Sequence, residues 1–264
     1  YVADKKLLYA DMEEDSYLLC NADDGWGSVF ASETHAAVRW YTTRTELPET
    51  LPAVSSQAGT WITPEGRGIV KLDGRETEIL PATLAVPGTH MRQNLVNAAH
   101  MMVLFGADPD SAGKALSSFP GIEHRLEFFH EDAGVRYYND SAATIPEAAA
   151  AAAGSFDRPV ILLSGGTDKD LDFEPLARVA GTVKRLLLLA GTGTDKLIPL
   201  LRSRQIGVDG PYQSLEELVA AARRGAEAGD IVVFSPGATS FGMFKNEFDR
   251  GRQFKALFPN NVGS

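Results

Sequence analysis

From about residue 121 onward one pattern recurs: a short apolar run, a glycine-rich or polar turn, then a helical stretch. Val135-Arg136-Tyr137-Tyr138 leads into Asn139-Asp140-Ser141 and an alanine-rich helix over Pro146 to Ala153. Val160-Ile161-Leu162-Leu163 leads into Ser164-Gly165-Gly166 and a helix near Phe173 to Val179. Arg185 to Leu189 leads into Gly191-Thr192-Gly193 and a helix near Asp195 to Arg204. Ser214 with Glu217 reads as a capping box for a helix ending near Gly229. Ile231-Val232-Val233-Phe234 leads into Ser235-Pro236-Gly237, then a last helix from about Phe241 to Phe258. Continuous apolar strands are buried on both faces, and strands separated by helices run parallel. The pattern therefore predicts an α/β fold with a parallel sheet covered on both faces. Roughly 140 residues with five buried strands can close a core of their own.

The first part of the chain has a different texture. Ser16 to Cys20 reads as a strand stopped by Asn21-Ala22-Asp23-Asp24-Gly25, and Ala36 to Tyr41 as another. Gly68 to Leu72 turns at Asp73-Gly74 into Glu76 to Leu80, the strongest hairpin signal in the sequence. Helices are expected over Gln93 to Phe105 and Asp110 to Ser118, closed by Phe119-Pro120-Gly121. These breaks set two domains, residues 1–118 and 119–264.

Charge and cysteine content exclude several classes. The 264 residues carry 25 Lys+Arg against 35 Asp+Glu, a net charge of −10, so a general basic surface for nucleic acid is not expected. Cys20 stands alone, which rules out an internal disulfide and fits a reducing cytoplasm. No apolar run approaches the roughly 18 residues of a membrane span. The sequence opens on Tyr1 rather than Met, as a piece of a longer protein would.

In an open parallel sheet, ligands bind outside the carboxyl ends of the strands. That edge should gather Asp140, Ser141, Thr144, Thr167, Asp168, Lys169, Asp170, Thr192, Thr194, Ser235, Thr239 and Ser240. Taken one turn at a time, such glycines and hydroxyls are caps; several on one edge point to a binding site. Gly191-Thr192-Gly193 resembles the start of a dinucleotide fingerprint, but Lys196 stands where the third glycine belongs, so a simple turn is expected. A phosphate-cradling G-x-x-x-x-G-K-[ST] loop is absent from the sequence, as is zinc-type spacing of His and Cys.

Five ordered segments together resemble the Mur ligases. They are Gly88-Thr89-His90-Met91-Arg92-Gln93-Asn94, His124-Arg125-Leu126-Glu127, Asn139-Asp140-Ser141-Ala142-Ala143-Thr144, Ser164-Gly165-Gly166-Thr167-Asp168-Lys169, and Ser235 to Phe241 running into Phe244-Lys245-Asn246. Within that superfamily the likeness is greatest to the branch that adds D-glutamate to UDP-N-acetylmuramoyl-L-alanine. The resemblance implies a three-domain cytoplasmic enzyme of peptidoglycan precursor synthesis, monomeric at full length. This chain would hold the later part of its central ATPase domain and the whole C-terminal amino-acid-binding domain, an α/β Rossmann-like doubly wound sheet. Lacking the phosphate loop, the chain alone is expected to be inactive. The implied reaction uses ATP and magnesium to phosphorylate the alanyl carboxylate; the D-glutamate amine attacks the acyl phosphate, and the tetrahedral intermediate expels phosphate. Activation is needed because a carboxylate oxygen is a poor leaving group, and the protein contributes positioning and charge neutralisation.

The residue roles implied by the resemblance are these. Lys5 is a candidate for carbamylation, which would turn a cation into an anion that orders magnesium; with Lys6 beside it, a solvated lysine pair is the plain alternative. His90 and Asn94 match positions that contact the nucleotide base and ribose, with Met91 between them where the family usually has Asn. Arg125 and Asp140 match positions that reach ATP phosphate and ribose, Arg125 counting with Lys5 as catalytic; their plain alternative is an ion pair between neighbouring strands. Thr144, Lys169 and Ser240 match the D-glutamate positions, offering a cation and hydroxyls to a dianionic amino acid. Ala142 stands where the family usually has Lys, and Glu247 where it has an aromatic. Two rival functions remain open at this point: another Mur or folylpolyglutamate-type ligase, and a non-catalytic Rossmann-like binding module.

Overall fold

The computed structural model describes residues 2–48 and 58–259, so Tyr1, at the head of the Lys5 segment, lies outside the described residues. The chain divides into two compact units, Tyr1–Ala85 with Thr89–Pro120, and Val86–Gly88 with Gly121–Ser264.

The first unit carries a sheet in the order β1-β2-β3-β4-β5, formed by Tyr17–Asn21, Ala37–Tyr41, Gly59–Ile62, Gly68–Leu72 and Arg75–Leu80. Its first three strands are parallel and its last three antiparallel. The expected hairpin is β4–β5, and its turn residues Asp73 and Gly74 both have positive φ (50° and 75°), as a primed two-residue turn requires. Four helices accompany the sheet: α1 (Val2–Lys6), α2 (Gly25–Glu33), α3 (Thr89–Leu104) and α4 (Pro109–Ser117). Helix α2 is a correction, because Asn21 to Gly25 reads as a simple strand stop. The Asp24 side chain instead accepts from the Gly27 N–H and caps a helix. Trp26, Val29 and Phe30 weaken its helical signal in the sequence. Trp40 is fully buried beside Leu18, Cys20 and Val38, whereas Leu7, Leu8 and Trp26 are exposed.

The second unit is a six-stranded sheet in the order β10-β9-β8-β11-β7-β6. Its strands are β6 (Glu127–Asp132), β7 (Val135–Asn139), β8 (Val160–Gly165), β9 (Arg185–Leu189), β10 (Asp209–Tyr212) and β11 (Ile231–Phe234). All neighbours are parallel except β6 and β7. Five buried strands were expected and four of them placed, as β7, β8, β9 and β11; the sequence reading did not place β6, an edge strand rich in charge, or β10, interrupted by Gly210-Pro211. Helices α5 (Pro146–Ala153), α6 (Glu174–Val179) and α7 (Thr192–Ser203) pack on Val160, Leu162, Leu186, Leu188, Ile231 and Val233. Helices α8 (Leu215–Gly225) and α9 (Glu247–Ala256) pack on the alternate residues Ile161, Leu163, Leu187, Leu189, Val232 and Phe234. Both faces are covered, which is why these strands read as unbroken apolar runs.

Two helix ends differ from expectation. Helix α9 begins at Glu247 rather than near Phe241: Gly242 has a φ of 96°, and the Asn246 side chain accepts from the Asp249 N–H as its cap. Helix α8 stops at Gly225 because Ala226 is extended. Its capping box forms, with Ser214 accepting from the Glu217 N–H and Glu217 reaching back to the Gln213 N–H.

Phe254 on α9 is fully buried, with Phe129, Phe234 and Phe258 around its ring. Phe254→Ala should cost about 3–5 kcal/mol, through lost burial and the cavity left behind. Phe241→Ala, at a ring that is 63% exposed, should stay within about 0.5 kcal/mol. Urea unfolding midpoints of the two variants would check the contrast.

Candidate active site

Strand β11 lies between β7 and β8 and runs parallel to both, so the turns after these three strands emerge side by side. Those turns are Asp140–Thr144, Gly166–Lys169 and Ser235–Ser240, at the switch point where an open α/β sheet offers a crevice. They are tied together directly. The Gly165 N–H and the Ser164 hydroxyl both donate to the Pro236 carbonyl at 2.8 Å. The Gly237 N–H donates to the Ala143 carbonyl at 2.9 Å, and Thr239 forms a bridge with Thr167.

Asp140 is buried and already engaged. Its Oδ2 accepts from the Ser235 hydroxyl at 2.6 Å, its Oδ1 from the Leu126 N–H at 3.1 Å, and its own N–H donates to the Phe234 carbonyl. Burial pushes its carboxyl up to about 6, against the lowering effects of Ser235, Leu126 and the Arg125 charge. Arg125 itself is exposed. It sits between His124 and Leu126, both at positive φ (65° and 42°), a conformation that costs non-glycine residues about 1–3 kcal/mol each. The surroundings hold it. His124 is 2% exposed, and the Asn139 amide donates to its Nδ1 at 2.7 Å. Burial keeps its ring pKa below the ordinary value, hence neutral, as an acceptor must be. A Cβ on Gly251 would stand 2.3 Å from that same nitrogen, so only glycine fits there. The suggested ion pair of Arg125 with Asp140 is not what forms: one is exposed, the other buried with neutral donors.

Of the acceptor candidates, Ser240 is buried, Thr144 half-buried and Lys169 exposed. Asp168 is paired with Lys196, not Lys169, and also caps the Leu171 N–H. The Lys169 ammonium has no hydrogen-bond or ion-pair partner among the described residues. The Gly191-Thr192-Gly193 turn serves this loop. A Cβ on Gly191 would stand 2.4 Å from the Gly166 carbonyl, the Gly193 N–H donates to that carbonyl, and Thr192 accepts from the Asp168 N–H. It is a packing turn, as expected.

In the first unit, His90 and Asn94 lie one turn apart on α3 and are both exposed, sharing a face. Met91 is buried in the packed side of that helix, so it does not stand on the face that His90 and Asn94 present. Lys5 is exposed on the short α1, where Lys6 pairs with Glu33 at 2.6 Å.

Sequence reasoning missed Arg250. It is 1% exposed, its Nε and Nη2 donate to the Oγ and carbonyl of Ser141, and its Nη1 donates to the Ala238 carbonyl. The signal was present: Arg250, Phe254 and Phe258 fall at four-residue intervals, which places the arginine on the buried stripe of α9.

Comparison with known proteins fits this geometry. The family "Mur ligase, glutamate ligase domain" matches residues 124–237. The UDP-N-acetylmuramoylalanine--D-glutamate ligase of Treponema pallidum is 38% identical across 97% of this chain and 57% of its own length. The enzyme of the same name from Roseiflexus sp. is 50% identical across 64% of this chain and 37% of its own. The chain thus spans about half the length of such relatives. Among solved structures, MurF ligase from Thermotoga maritima in complex with ADP superposes with a TM-score of 0.62 at 15% identity, over 97% of this chain and 56% of that one. E. coli FolC in complex with ADP gives 0.56 at 17%, over 87% and 50%. At such identities the structures share the fold.

An acid whose folded pKa lies above its unfolded value binds extra protons when folded, so its contribution to stability is full below the unfolded value and lost as pH rises through the folded one. For Asp140 that window runs from 3.8 to about 6. The stability of the parent minus that of Asp140→Asn should therefore fall across this range, by about 3 kcal/mol at most, and be flat above it. Urea unfolding at stepped pH reads this slope; a rising difference would mean that burial does not penalise the charge.

Proposed function

We propose that the chain, whose residues 124–237 match the Mur ligase glutamate ligase domain, supplies the acceptor-binding domain and part of the ATP site of a UDP-N-acetylmuramoyl-L-alanine:D-glutamate ligase. The observation that carries the reading is the convergence of the turns after β7, β8 and β11, which brings Thr144, Lys169 and Ser240 to one edge. A dianionic acceptor needs an unengaged cation and hydroxyl donors, and Lys169 is exposed with no side-chain partner among the described residues. In this reading the ligand carboxylates take up that charge, and the amine is left to face the activated alanyl group. Arg125, projecting from its left-handed neighbours, supplies positive charge toward ATP phosphates; Asp140, ionised above about pH 6, accepts from the ribose. His90 and Asn94 contribute the base and ribose contacts from α3. The work falls in the cytoplasm, and no helix among the described residues is long and apolar enough to cross a membrane.

Magnesium belongs to the same proposal through Lys5, an exposed lysine that as a carbamate would supply the charge that orders the ion. Among the described residues, the group of three potential ligand atoms is Glu123, His124 and Glu127, and Lys255 neutralises both carboxylates there. That site does not suit a hard cation.

The test uses the longer protein that contains this chain. Its ATP hydrolysis should depend on the UDP-linked substrate and D-glutamate, and not on L-glutamate or other acceptors. Lys169→Ala should lower kcat/KM for D-glutamate by roughly 10- to 200-fold, the loss of a charge-assisted hydrogen bond of about 1.5–3 kcal/mol. Its melting temperature should not move, since Lys196 and not Lys169 screens Asp168. An unchanged KM for D-glutamate would sink the acceptor assignment.

A further inference from the structure

Arg250 is buried in α9, yet its contacts lead away from the helix core to two turns. Nε donates to Ser141 Oγ at 3.0 Å, Nη2 to the Ser141 carbonyl at 2.9 Å and Nη1 to the Ala238 carbonyl at 3.0 Å. Ser141 closes the ring by donating its hydroxyl to the Glu247 carbonyl at 2.7 Å. Filling a helix–sheet contact needs only an apolar side chain, and a buried cation costs desolvation energy that leucine or methionine would not. What the guanidinium adds is a planar fork that reaches separate acceptors at fixed geometry. Burial brings its pKa down to about 10, so the fork stays protonated at neutral pH.

The two turns it joins are the ones that carry Thr144 and Ser240. Asp140, at the start of the first turn, is held independently by Ser235, Leu126 and Phe234. We propose that Arg250 is a positioning residue for acceptor binding: by clamping Ser141 to Ala238 it sets the separation of Thr144 and Ser240 without touching the acceptor. The identity of that acceptor rests on the function proposed above; the clamp does not.

The experiment uses the full-length protein with Arg250→Lys and, as a milder second variant, Ser141→Ala. One lysine nitrogen cannot bridge both turns in the geometry of the fork. KM for D-glutamate should rise about 10-fold or more in Arg250→Lys, with KM for ATP within about threefold of the parent. Ser141→Ala should move in the same direction by a few-fold. In either variant, amide hydrogen exchange should rise at least about 10-fold at Ala142, Ala143 and Gly237, and stay unchanged in β8 and β9. Exchange that rises throughout the unit, or KM values for both substrates that climb together with a falling melting temperature, would reduce Arg250 to a stability residue and overturn the clamp. If Arg250→Lys does not fold, the Ser141→Ala exchange pattern decides in the same way. If the parent shows no dependence on D-glutamate, the functional reading fails alone and local exchange still judges the clamp.

Discussion

The placement of β11 governs everything at the candidate site. It pairs with β7 through Ile231–Arg136 to Phe234–Asn139, and with β8 through Ile231–Val160 to Phe234–Leu163. Because both registers start at the same residue, Phe234 stands level with Asn139 and Leu163, and β8 runs on only to Gly165. The turns after them are then forced into contact, and the hydrogen bonds from Gly165 to Pro236 and from Gly237 to Ala143 follow. A slip of one residue in either pairing would swap the side chains that meet α5–α7 with those that meet α8 and α9, so close packing on both faces locks the register that the site needs.

On that frame, polar groups are used in two ways. Some are consumed in holding turns: Asp140 by Ser235 and Leu126, Asp168 by Lys196 and Leu171, Arg250 by Ser141 and Ala238. Others are left to solvent, notably Arg125 and Lys169. The division makes physical sense for anion recognition. A cation already paired offers a ligand little, whereas one held out by a rigid backbone loses only side-chain entropy on binding. His124 shows the same division within one motif: the histidine anchors the loop while its neighbour Arg125 faces outward.

Much of this was legible in the residues. The apolar runs at Val160, Arg185 and Ile231 gave their strands because burial on two faces leaves an unambiguous pattern, and Asp73-Gly74 gave its turn because few other dipeptides accept two positive φ values. The misses share a cause. Strand β6, its edge position shared with water, has no apolar signature; α2 is capped by one aspartate against poor intrinsic propensity; and the long final helix shortens because Asn246 caps it from within. At the site, the ordered motifs located the turns, but a linear sequence does not show which groups spend their valence internally. Asp140 already holds Ser235 and Leu126, Met91 is a core residue, and Arg250, which no motif singled out, is buried.

The order of synthesis gives the central strand another consequence. Strand β11 is the last of the sheet to leave the ribosome, yet β7 and β8 make no hydrogen-bonded ladder with each other and wait for it. Helices emerging earlier can form on local contacts, but the sheet cannot close until residue 234 is free, which makes its contact order high and its closure late. During translation the two waiting strands expose apolar edges, so this unit should lean on holding chaperones more than a domain whose central strand comes first.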